Sequence, residues 1–192
     1  METLVINTDA FEMTEEQFFR FCVQNHDLRI ERDYKKQLFI MSPTGGTTGS
    51  RNFSISFQLG KWNEKYKLGY AFDSSTGFTL PNNAMRSPDA AWIEKSKWET
   101  LPEKEKESFA HICPDFIIEL KSKSDSLKNL QEKMEEWLSN GCLLGWLIDF
   151  ENEIVFIYRQ NDSLEKINFF DKKISGEDVL HGFELDLSEL KC

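Results

Sequence analysis

The chain of 192 residues carries 23 Lys and Arg against 33 Asp and Glu, a formal charge of −10. With 40% hydrophobic and 13% aromatic residues it can build a substantial core, which excludes intrinsic disorder. Its longest mostly apolar run, Leu143 to Ile148, is far shorter than the ~20 residues of a membrane span, so no membrane partner is expected. The acidity argues against a nucleic-acid partner held by a broadly basic surface, and leaves a local basic groove or bound metal to do that work.

At roughly 150 residues per domain, the length predicts one domain over residues 1–192. No basic stretch precedes Arg20, so no secretory leader is expected. Cys22, Cys113, Cys142 and Cys192 show no C-x-x-C spacing, and His26, His111 and His181 are isolated. They suggest reduced thiols in a cytoplasmic protein, with neither a disulfide framework nor a zinc site.

In chain order, Thr14 to Gln17 is a capping box that opens a helix with Phe18, Phe21 and Cys22 on one face. Leu28–Glu31 and Gln37–Met41 predict a hairpin turning through residues 33–36. After the loop 42–46, Ile55, Leu59, Trp62 and Tyr66 recur at helical spacing, which predicts a helix with all four in the core, closed by Gly69. Short strands are expected at Tyr70–Phe72, Gly77–Leu80 and Asp89–Ile93, with a turn at 81–83. The charged stretch Glu94–Ser108 predicts a solvated excursion of one or two helical turns.

Pro114–Lys121 predicts a strand with Phe116, Ile118 and Leu120 facing the core and Asp115, Ile117, Glu119 and Lys121 facing the other way. Asp125–Asn140 predicts a helix with the stripe Leu127, Leu130, Met134, Trp137 and Leu138, stopped by Gly141. Leu143–Asp149 and Ile154–Arg159 are further strands, Leu164–Phe169 an edge strand and Leu185–Leu190 a terminal element. Strand, helix and strand in this order make a right-handed crossover beside a hairpin, so the class is α/β with a mixed central β-sheet flanked by helices.

The chemistry concentrates at the end of the strand 114–121. Open α/β sheets place sites at the carboxyl ends of strands. There Glu119 and Lys121 emerge together, and Asp89 follows Pro88 at the start of another strand, giving the pattern PD…ExK. Two carboxylates and a backbone carbonyl offer hard oxygen ligands to Mg²⁺ or Mn²⁺. The metal polarises a phosphoryl oxygen and helps form hydroxide, while a Lys offsets charge or handles the water proton. Carboxylate-x-Lys triplets also occur at Asp33, Asp171 and Glu189, but only Glu119 lies on a strongly apolar strand followed at once by a helix. Stepping about 100° per residue along that helix puts Gln131 and Lys133 on opposite flanks of the apolar stripe, from which either can reach over the strand end.

Ser87-Pro-Asp-Ala-Ala-Trp92, Cys113-Pro-Asp-Phe-Ile-Ile-Glu-Leu-Lys-Ser122, Leu130 to Gly141 and Gly145-Trp-Leu-Ile-Asp149 together resemble the Uma2 family of restriction-endonuclease-like proteins, which is bacterial and especially numerous in cyanobacteria. Met41 to Gly46, Asp73 to Phe78 and Leu180 to Leu185 fit it too, so the resemblance covers nearly the whole chain. It implies a restriction-endonuclease-like core of the PD-(D/E)xK type and Mg²⁺-dependent endonuclease cleavage of nucleic acid. It also implies Asp89 and Glu119 as metal carboxylates. The catalytic Lys stays open: Lys121 fits the motif and Lys133 the family. Glu31 matches a family Glu that joins the site.

Three functions fit this sequence: a Mg²⁺-dependent endonuclease, a catalytically silent nuclease-fold binding or assembly module, and a hydrolase of smaller phosphate esters. The expected partner of the first is nucleic acid, DNA foremost, bound weakly or only with metal. A homodimer is expected because cutting both strands calls for two sites. Around the site the charge balances: Lys121, Lys123, Lys128 and Lys133 match Asp125, Glu132, Glu135 and Glu136.

Overall fold

The structure, a computed structural model, describes residues 3–8, 13–168 and 170–191. Phe169, the last residue of the expected edge strand, and Cys192 lie outside the described residues. A strand β1 (Leu4–Ile6), which no periodicity announces, is followed by α1 (Glu15–Gln24), β2 (Arg29–Arg32), β3 (Leu38–Met41) and α2 (Gly46–Tyr66). Next come β4 (Gly69–Asp73), β5 (Phe78–Thr79), β6 (Met85–Arg86), β7 (Ala90–Glu94) and the short α3 (Lys95–Glu99) and α4 (Glu103–Lys106). Then β8 (Ala110–His111), β9 (Phe116–Lys121), α5 (Leu127–Ser139), β10 (Leu144–Asp149) and β11 (Ile154–Arg159) follow. The chain ends with β12 (Leu164–Asn168), β13 (Lys173–Ser175), β14 (Glu184–Asp186) and a 3-10 turn, Leu187–Leu190.

The expected central sheet has the order β12-β11-β10-β9-β7-β4. β9 and β10 run parallel with α5 between them in sequence, and the remaining neighbours are antiparallel, so the sheet is mixed. A second six-stranded mixed sheet, β1-β3-β2-β6-β5-β8, grows from the hairpin β2–β3. The strand expected at Gly77–Leu80 is its β5, but the sheet as a whole escapes sequence reading because β6 and β8 are two residues long, too short for an alternating pattern.

β9 departs from its predicted pattern. Phe116, Ile118 and Leu120 pack with Ile55, Leu59 and Trp62 of α2, but Ile117 is equally buried, with Met134 and Trp137 of α5. A strand with a parallel neighbour in mid-sheet is covered on both faces. The face opposite Phe116, Ile118 and Leu120 is therefore the α5 face, and the carboxylates on it, Asp115 and Glu119, must find partners. Asp115 does so locally, accepting from Lys97 Nζ at 2.7 Å and from the Glu94 amide at 2.8 Å.

Two features seat the helices that matter for the site. In α1 the capping box forms as expected, Thr14 Oγ1 accepting from the Gln17 amide and Gln17 Oε1 from the Thr14 amide. On β10, a Cβ at Gly145 would lie 2.6 Å from Met134 Cε, so the missing side chain lets α5 settle onto the sheet. α2 ends at Tyr66, where its periodicity predicts, but the left-handed cap is Lys67 (φ 54°), and Gly69 instead opens β4, where a Cβ would collide with the Ile93 carbonyl. Trp62 is buried, but Tyr66, on the last turn, is 42% exposed and so is no core residue. Among the described residues no helix is long and apolar enough to cross a membrane.

Candidate active site

Asp89 sits where β7 joins the end of β9. Its amide donates to the Ile118 carbonyl at 3.0 Å, and its Oδ2 accepts from the Leu120 amide at 2.8 Å. Its Oδ1 accepts from Asn52 Nδ2 of α2 at 3.1 Å and faces Arg29 Nη2 of β2 at 3.6 Å. On the neighbouring strand Glu119 is 4% exposed. Its Oε1 takes Lys133 Nζ at 2.8 Å and Trp137 Nε1 at 3.0 Å, two groups one turn apart on α5.

Lys133 bridges the two sheets. Its Nζ also donates to Glu31 Oε1 of β2 at 2.8 Å and to the Ser87 carbonyl at 3.4 Å. Glu31 Oε1 further accepts from the Ser87 amide at 3.1 Å, and its Oε2 pairs with Arg86 Nη1 at 3.2 Å. Arg86 Nε donates in turn to Glu136 Oε2 at 2.6 Å. Ionised groups this deep are tolerated only when paired and hydrogen-bonded throughout.

Their protonation follows from the surroundings. Burial, with Asp89 and Glu31 nearby, pushes the Glu119 carboxyl up to about 7 against the pull of Lys133. Burial would also raise Glu31, but Lys133 and Arg86 beside it bring it below its ordinary value. Burial works against the Lys133 ammonium, yet Glu119 and Glu31 hold its pKa above the usual lysine value. Between about 4.5 and about 7 the folded protein thus keeps a proton on Glu119 that the unfolded chain has released. In that window stability falls as pH rises. In metal-free protein, the part of the thermal midpoint's pH dependence that Glu119→Gln removes should be a decline from about pH 5 to about pH 7. An unchanged profile in the variant counts against it.

The structure brings Asp89, Glu119, Lys133 and Glu31 into one network and directs Lys121 elsewhere. Register pairs Lys121 with Asp149 across β9–β10, and its Nζ lies 3.8 Å from Asp149 Oδ2 and 3.7 Å from Glu151 Oε2. Gln131 faces Tyr158 on the opposite flank. Asp73 caps its own turn, with Oδ1 accepting from the Ser75 amide at 3.0 Å, and Arg51 lies over the Phe150 ring.

Sequence reading misses Asn52, Arg29, Trp137 as a donor, and the role of Arg86 with Glu136. Two of these carry a signal. Asn52 continues the stripe of Ile55 and Leu59 one turn earlier, a polar residue at a buried spacing. Trp137 carries an indole N–H that needs a partner once buried.

The donor set suits a hard dication. Glu119 Oε2 has no hydrogen-bond partner among the described residues, and Asp89 lies close enough to raise the pKa of Glu119, a repulsion that a cation between them would relieve. No group of three His, Cys, Asp or Glu ligands occurs among the described residues.

The architecture is that of a nuclease-like fold. It superposes with a TM-score of 0.74, at 20% identity, on the crystal structure of "a putative nuclease belonging to DUF820 from Anabaena variabilis ATCC 29413", covering 93% of this chain and 97% of that one. The model of the Uma2 family, described as "Putative restriction endonuclease", matches residues 15–188, and the chain belongs to that family. Among curated proteins no relative matches.

Proposed function

We propose that the chain is a Mg²⁺-dependent endonuclease acting on nucleic-acid phosphodiesters, DNA foremost. Asp89 and Glu119 hold the metal, which when bound supplies electrophilic pull on a phosphoryl oxygen and an acidified water. Lys133 stabilises charge beside them, Glu31 and Arg86 fix Lys133, and Lys121 fastens the β10–β11 turn. The observation carrying this reading is the Lys133 ammonium at 2.8 Å from both Glu119 and Glu31, with Asp89 on the adjoining strand. A homodimer and a cytoplasmic setting complete the reading, the first because a duplex has two strands to cut.

The deciding experiment is cleavage of plasmid and oligonucleotide DNA with Mg²⁺ or with chelator, using wild type, Asp89→Ala and Glu119→Ala. Cleavage is expected in wild type with metal and in neither variant. Full activity in either variant overturns the assignment. Cleavage by none of them, with no heat of Mg²⁺ or Mn²⁺ binding, replaces it with the silent binding module.

A further inference from the structure

A cleft of about 420 Å³ opens between the end of α1, the start of β2 and the turn after β4. Two of its lining residues, Arg29 and Ser87, are also the ones that touch the acid–lysine network. Arg29 Nη2 faces Asp89 at 3.6 Å, and its side chain is 35% exposed. A guanidinium fork with a single carboxylate beside it keeps further N–H donors for a ligand oxygen. The remaining walls divide by character: Ile30, Met85 and Phe109 are apolar, while His26, Asp27 and Ser75 are polar, the Asp27 carboxylate lying 3.7 Å from His26 Nε2.

We propose that this cleft receives a single nucleotide next to the scissile phosphate, its phosphate on Arg29 and its base against the apolar walls. The inference rests on the nuclease reading above and names where on the nucleic acid it acts: at a nucleotide that is unpaired or turned out of the duplex. A cleft of this volume takes a small-molecule-sized ligand, not stacked base pairs. Extruding a nucleotide into it is least costly where the strand is already unpaired. The planar fork of Arg suits a phosphate, and a base offers an apolar face with a polar edge, as the walls do. The overall charge agrees. A chain at −10 offers little broadly basic surface for counterion-releasing contacts along a duplex, and a pocket that holds one nucleotide suits that balance.

The test is metal-free titration of the protein with deoxyadenosine 5′-monophosphate, deoxyadenosine and inorganic phosphate, followed by NMR shifts. The monophosphate should bind at least about tenfold more tightly than either fragment. Arg29→Ala and Val23→Trp should each weaken it about tenfold. Val23 lines the mouth and is 57% exposed, so the larger ring narrows the cleft without entering the core. If phosphate alone binds as well, or if either variant binds the nucleotide like wild type, the pocket is overturned. Because no metal or cleavage is involved, nucleotide binding without nuclease activity overturns the reaction and leaves the pocket standing. Cleavage without nucleotide binding does the reverse.

Discussion

Lys133→Ala is expected to lower Mg²⁺-dependent cleavage by about 10²–10³-fold, the usual loss when one preorganised charge or donor is removed from a reaction centre. Lys121→Ala should leave the rate close to wild type. The contrast comes from register and helix phase. On β9 both Glu119 and Lys121 leave the same face, but pairing with β10 carries Lys121 to Asp149, while α5 brings Lys133 over Glu119. Lys133→Met keeps the stem and removes the charge, so it separates lost electrostatics from lost packing. Initial rates at saturating metal decide the matter, and a large loss for Lys121→Ala with a small one for Lys133→Ala would reverse the assignment.

Glu31→Ala is expected to cost about 3–5 kcal/mol of folding stability, the range for removing one member of a buried ion pair. Glu31 is 3% exposed and answers two cations and an amide at once. Without it, Lys133 keeps Glu119 as its one carboxylate, beside the Ser87 carbonyl, and Arg86 keeps Glu136, so each remaining charge is under-compensated. Urea unfolding of wild type, Glu31→Ala, Lys133→Met and the double variant gives the comparison. The double variant should be less destabilised than the sum of the singles, because one removal relieves the charge orphaned by the other. Additive losses would mean that the two residues are not energetically coupled.

How much of this the sequence discloses depends on the length of each signal. The run from Phe116 to Asp149 is legible because a strand, a thirteen-residue amphipathic helix and another strand each span enough residues to establish a period. β6 is invisible for the opposite reason, although its Arg86 holds Glu31. Asp89 and Glu119 stand out as carboxylates at strand ends. Arg29 does not, because its meaning depends on Asp89, sixty residues away in the chain, and no local pattern encodes that distance. The ambiguity between Lys121 and Lys133 has the same root. Alternation tells which face a strand residue takes, but not which neighbour across the sheet its long side chain will choose.

The hairpin β2–β3 with α1 rests on a small apolar layer, in which only Phe18, Ile30, Leu38 and Met85 are fully buried among the described residues. Much of its hold on the rest of the molecule is polar: Glu31 on Lys133 and Arg86, and Arg29 on Asp89. The latch that keeps this lobe closed thus includes charges that metal and phosphate would recruit. A cation on Asp89, or an anion on Arg29, would compete with the Arg29–Asp89 contact alone and would leave Glu31 on Lys133 and Arg86, so the lobe's seat and the site's occupancy share one contact rather than all of them.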